Sequence, residues 1–112
     1  MFSFFRSGGA AAADTASHEE LEKACQSGDC AIVDVREPAE YANGHVPGAQ
    51  NMPLSRFDPS ALPQGRPVIL ICQAGGRSAK ALDACRAAGR ADVRHYKPGT
   101  GGWMARGGRV ER

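Results

Sequence analysis

Cys72-Gln73-Ala74-Gly75-Gly76-Arg77-Ser78 brings a thiol, paired glycines, a guanidinium and a hydroxyl into one short stretch. The thiolate is the nucleophilic form of cysteine, and it is populated at neutral pH only where its surroundings favour the negative charge. Gly75 and Gly76 have access to backbone angles closed to other residues, so the stretch can curl until its N–H groups converge on one point. Ser78 is placed to cap a following helix, and a helix N-terminus adds positive potential there. With Arg77 as a fixed positive charge beside it, Cys72 would sit in an anion cradle that lowers its pKa. A cysteine that only fills a core needs neither the glycines nor the guanidinium.

The elements that must position this loop are readable on both sides of it. Pro67-Val68-Ile69-Leu70-Ile71 is β-branched or aliphatic without helical spacing, which predicts a buried strand of a parallel sheet with Cys72 at its carboxyl end. An alanine-rich helical pattern runs from Ser78 to Ala88, and Gly89 ends it. Upstream, Ser17-His18-Glu19-Glu20 has the form of a capping box opening a first helix. A strand over Ala31 to Val35 follows, then a short helix opened by Pro38 that stops near Asn43-Gly44. Ala49 to Met52 predicts a brief strand, Pro59 to Leu62 a helical turn, and Val93 to Tyr96 a last strand feeding a loop over Pro98 to Trp103. Alternating signals of this kind predict an α/β fold, in which ligands bind outside the carboxyl ends of the strands. Asp34 and Arg36 end one predicted strand and Cys72 ends another.

The loop resembles the active-site loop of the rhodanese sulfurtransferases, whose single-domain members often carry Cys-x-x-Gly-x-Arg-Ser. Two further stretches are similar to that family's signatures. One is Asp34-Val35-Arg36-Glu37-Pro38-Ala39-Glu40-Tyr41 with Gly44-His45-Val46-Pro47-Gly48-Ala49-Gln50-Asn51-Met52-Pro53. The other is Gly99-Thr100-Gly101-Gly102-Trp103 with Gly107 and Val110, which departs from the family at Pro98, where a glycine is usual, and at Arg109, where a proline is common. The resemblance runs over about residues 15 to 112. It implies a rhodanese-like α/β fold: a small, mostly parallel sheet flanked by helices, with the active-site loop between a strand end and a helix N-terminus. It also implies that Cys72 attacks a sulfane sulfur, releases sulfite from thiosulfate and carries the sulfur as a persulfide to cyanide or a thiol. Gln73, Ala74, Gly75, Gly76, Arg77 and Ser78 would then bind the donor, with Asp34 and Arg36 bracing the loop through ion pairs or hydrogen bonds. His45 would stabilise its Gly-His-Val-Pro-Gly turn, while His18 and His95 lie outside the three signatures. Sulfur transfer requires no acid or base.

Two other classes stand beside the sulfurtransferase. Phosphatase and arsenate-reductase relatives share the fold but are similar to Cys-x5-Arg, whereas Cys72 to Arg77 is Cys-x4-Arg and suits a smaller group. A persulfide carrier or regulatory module that does not turn over would use the same Cys72, and only turnover with small thiols separates it.

With 112 residues and a formal charge of +2, the chain suits one hydrophobic core, expected over residues 14 to 112 after a flexible or partner-docking leader at 1 to 13. No run approaches the ~20 apolar residues of a membrane span, and the leader places its aromatics before its charge, unlike a secretory signal. Acidic residues concentrate in 14 to 40 and basic ones in 86 to 112, which predicts two solvated faces, with a partner-docking surface as the alternative. Nucleic acid is not expected as a partner, because no stacking aromatics interleave with the basic residues. Cys25 and Cys85 fall on apolar helix faces and Cys30 opens a strand, so all three are expected to pack. Their spacing lacks the tight pairs of a zinc site, so neither metal nor cofactor is expected, and a reducing, cytoplasmic compartment is the simplest fit. The expected partners are a small sulfur donor and an acceptor, with a protein acceptor possible.

Overall fold

Local sequence sets the first helix of the computed structural model, which describes residues 14–112. The leader expected at 1–13 lies outside the described residues. Helix α1, His18–Ser27, opens on a capping box: the Ser17 hydroxyl accepts from the Glu20 N–H at 3.1 Å, and the Glu20 carboxylate accepts from the Ser17 N–H at 2.9 Å. Gly28, left-handed at φ 73°, ends it. Strand β1, Ala31–Asp34, and helix α2, Pro38–Ala42, follow. After the two-residue strand β2, Gln50–Asn51, come single 3-10 turns at Leu54–Arg56 and Pro59–Ala61. Strand β3, Val68–Ile71, helix α3, Gly76–Ala87, strand β4, Val93–His95, and helix α4, Gly99–Ala105, complete the order.

The sheet is parallel in the order β2-β1-β3-β4. Every residue of β1 and of β3 is buried, as a central parallel strand covered on both faces requires. Side chains alternate across it: Val33, Val68 and Leu70 join Leu62, Leu82, Cys85 and Val93 on one face, while Ile32, Ile69 and Ile71 join Leu21, Tyr96 and Trp103 on the other. Helix α3 covers the first face, and α1 with α4 covers the second.

Three expectations are corrected. Helix α3 starts at Gly76, because Gly75 is its left-handed N-cap at φ 98° and turns the chain directly out of the loop. Residues 99 to 105 are helical where a loop was expected: glycines disfavour a helix intrinsically, but here the N–H groups of Thr100 and Gly101 are taken by loop carbonyls and Trp103 is buried. Finally, the two charge clusters do not form separate faces. Arg86 pairs with Asp14 at 3.3 Å, Arg94 with Glu20, and Arg106 with Glu19 at 3.7 Å, so basic residues of α3, β4 and the end of α4 meet acidic ones of α1 and the segment before it.

Candidate active site

Cys72 leaves β3 at the carboxyl edge of the sheet and is 1% exposed. Its sulfur accepts the Gly75 N–H at 3.1 Å and lies 3.5 Å from the Ser78 hydroxyl. Burial, the largest single influence, pushes the thiol up. The Ser78 hydroxyl and the N–H groups of Ser78, Ala74 and Gly75 together outweigh it and bring Cys72 below its ordinary value. At Cys25 and Cys85 burial wins, and both thiols are pushed up.

The loop is held from behind by α4. The Cys72 carbonyl accepts from the Thr100 N–H at 2.8 Å and from its hydroxyl at 3.2 Å, and the Gln73 carbonyl accepts from the Gly101 N–H at 3.1 Å. With these carbonyls drawn back, the loop N–H groups are left facing the sulfur. The approach is close enough to require glycine at two positions. A Cβ at Gly99 would lie 2.2 Å from the Gln73 oxygen, and one at Gly75 would lie 2.5 Å from the Lys97 oxygen. Gly76, by contrast, has ordinary angles and open space around it, so the expectation of two specially bent glycines holds for Gly75 alone.

Asp34 and Arg36 form a buried ion pair of 2.8 Å beside the loop. The Arg36 guanidinium also donates to the Gly44 carbonyl at 2.8 Å and to the Gln73 side-chain oxygen at 3.3 Å, so it reaches the loop while Asp34 anchors it from below. Its three-way bonding compensates the cost of burying the pair. His45 Nδ1 donates to the Tyr41 carbonyl at 2.9 Å, and its ring stacks on that of Tyr41.

Two residues of the loop differ from expectation. Arg77 is not a free positive charge: its guanidinium grips both oxygens of Glu40 on α2, at 2.6 and 2.9 Å. These bonds are the main reason that the Glu40 carboxyl is held down at about 2. Ser78 does not cap α3. As its third residue it turns its hydroxyl inward, fully buried, to contact the Cys72 sulfur, the Gly75 carbonyl at 3.2 Å and His95 Nδ1 at 2.8 Å.

Glu40, Thr100 and His95 are the neighbours that the sequence reading did not bring to the site. For His95 a signal existed, since it lies near the carboxyl end of the strand predicted over Val93 to Tyr96, but only the pairing of β4 with β3 places it near the loop. Among the described residues, no three His, Cys, Asp or Glu side chains gather as a metal site would need.

A parallel sheet with a cysteine loop at its carboxyl edge, backed by a glycine-rich helix, defines a rhodanese-type domain. The profile of the Rhodanese-like domain family matches residues 17–106, and the chain belongs to that family. It is 38% identical over 95 residues to an uncharacterized Synechocystis protein, covering 83% of this chain and 53% of that one. It is likewise 38% identical over 99 residues to a probable adenylyltransferase/sulfurtransferase of Mycobacterium tuberculosis, MoeZ, covering 84% of this chain and 25% of the relative. The chain thus spans about half and a quarter of these two relatives. The structure of a human single-domain sulfurtransferase superposes with a TM-score of 0.72 at 28% identity, over 83% of this chain and 96% of the human one.

Proposed function

We propose that this protein is a sulfurtransferase working through a persulfide on Cys72. The Cys72 thiolate attacks the outer sulfur of thiosulfate, a new S–S bond forms on Sγ, and the donor's S–S bond breaks with sulfite leaving on the electron pair. Cyanide or a thiolate then attacks the terminal sulfur, and Cys72 departs as thiolate. The observation that carries this reading is the sulfur's surroundings: backbone N–H groups and one hydroxyl face it, and they favour the charged form despite burial. The same donors would hold the persulfide, and the exposed rim of Gln73, Ala74 and Gly76 admits the donor or a protein acceptor. Sulfurtransferase names among the relatives support the same chemistry.

The cell's own donor and acceptor belong to this proposal too, with thiosulfate the first donor to test and the reducing cytoplasm the compartment. Among the described residues no helix is long and apolar enough to cross a membrane. Intact-mass spectrometry after thiosulfate should show one added sulfur atom, which cyanide or a thiol removes. Unchanged mass, or sulfur transfer surviving in Cys72→Ser, refutes the reading. Loading without steady-state turnover on small thiols would instead mark a persulfide carrier.

A further inference from the structure

We propose that His95 is a positioning residue for Cys72, setting through Nδ1 which way the Ser78 hydroxyl points and so holding that hydroxyl as a donor to the sulfur. The proposal deepens the sulfurtransferase reading and rests on Cys72 being its reactive thiol.

A serine hydroxyl has one proton and two lone pairs. Around the Ser78 oxygen stand three groups: the Cys72 sulfur at 3.5 Å, His95 Nδ1 at 2.8 Å and the Gly75 carbonyl at 3.2 Å. The Gly75 carbonyl, which also accepts the Ala79 N–H at 3.0 Å, can take the hydroxyl proton on its second lone pair, but Nδ1 stands closer to the Ser78 oxygen, so the contest that bears on Cys72 lies between sulfur and imidazole. While Cys72 is a thiol, its S–H donates to the hydroxyl oxygen, and the hydroxyl proton goes to Nδ1. Once Cys72 is a thiolate, the hydroxyl stabilises it only by turning its proton to the sulfur, and its lone pairs then need a donor. Nδ1 becomes that donor if it carries a hydrogen. A neutral imidazole carries its proton on either nitrogen, so a change of tautomer is enough. The protons balance: one passes from sulfur to the Ser78 oxygen, the hydroxyl proton passes to Nδ1, and Nε2 releases one to water. The net change is one proton from Cys72 to solvent, with no charge left on the ring.

The backbone that carries the ring is fixed on both sides and the residue is buried. The His95 N–H donates to the Asp14 carbonyl at 2.9 Å, its carbonyl accepts from the Ala16 N–H at 3.0 Å, and the residue is 7% exposed. Burial, aided by Lys97 and opposed by Asp14 and Asp83, holds the imidazole below its ordinary value and so neutral at pH 7. On the sulfur side, the charged group facing Cys72 is Arg77, which stays paired to Glu40. A histidine that merely filled space would need no nitrogen at this point.

The test is the pH dependence of Cys72 alkylation by iodoacetamide, read by peptide mass spectrometry without any sulfur donor. His95→Phe should raise the midpoint and slow alkylation at pH 7 by about five- to tenfold, on the order of one pKa unit. His95→Asn, whose side-chain amide supplies a permanent donor near the Nδ1 position, should restore most of the rate. Ser78→Ala should match His95→Phe, and the double variant should add nothing to it. An unchanged midpoint in folded His95→Phe, or additive effects in the double variant, overturns the proposal. Should His95→Phe fail to fold, nitrogen NMR of the wild-type imidazole decides: it should pass from the Nε2–H to the Nδ1–H tautomer as Cys72 deprotonates, and an unchanged tautomer overturns the idea. A protein that behaves this way yet accepts no sulfur would refute the proposed function and leave the role of His95 standing.

Discussion

In the proposed reaction Arg77 would meet an anionic donor while sharing its guanidinium with Glu40, so the pair would set how strongly the site attracts negative charge. Glu40→Gln should release that charge and lower the KM for thiosulfate several-fold while leaving the response to thiol acceptors nearly unchanged; equal KM values in the two proteins would show that Arg77 does not meet the donor. The same pair has a pH signature. Glu40 falls from an ordinary 4.5 to about 2 in the folded protein, so its contribution to stability is full above about 4.5 and is lost as pH drops toward 2. The carboxylate is 37% exposed, so the effect is modest, and acid unfolding of Glu40→Gln should be slightly flatter in that window. Away from the loop, where burial pushes the Cys25 and Cys85 thiols up rather than down, alanine in place of Cys25, Cys30 or Cys85 should leave turnover per folded molecule within a few-fold. A Cys72–Cys85 disulfide forming during the cycle would contradict that expectation.

The element that matters most after the loop is α4, and its glycines separate two kinds of constraint. Gly99→Ala forces a Cβ to 2.2 Å from the Gln73 oxygen at φ 72°, and should cost about 1–3 kcal/mol of stability and slow Cys72 alkylation. Gly76→Ala adds a methyl in open space at ordinary helical angles, and should be neutral or stabilising by up to about 1 kcal/mol in thermal melts. A destabilised Gly76→Ala, or a tolerated Gly99→Ala, would contradict this reading of the loop. The contrast also marks what the sequence could reveal. The capping box at Ser17, the Val68 to Ile71 strand and the Cys72 loop were legible because each is decided by neighbours in the chain. Helix α4 was not, because its glycines argue against a helix and only distant carbonyls and the burial of Trp103 override them. His95 was overlooked for a related reason: nothing local says that β4 lies beside β3.

At the scale of the whole molecule, the sheet order brings the ends of β1, β3 and β4 to one edge, so Arg36, Cys72 and His95 converge from three separated segments. The cradle built there closes after four intervening residues, from Cys72 to Arg77, and should be too small for phosphate. Aryl phosphates should therefore show no Cys72-dependent hydrolysis in a colorimetric assay, and efficient turnover would move the protein to the phosphatase class. The clamp on that cradle comes from residues 99 to 101, well downstream of Cys72 in the chain. During synthesis the thiol therefore emerges well before the helix that fixes its loop. A nascent chain ending at Tyr96 should carry an ordinary cysteine, alkylated with the pH dependence of a free thiol, and sulfur chemistry should switch on only when translation has delivered α4. In the proposed reaction, translation thus delivers the nucleophile first and arms it only with α4.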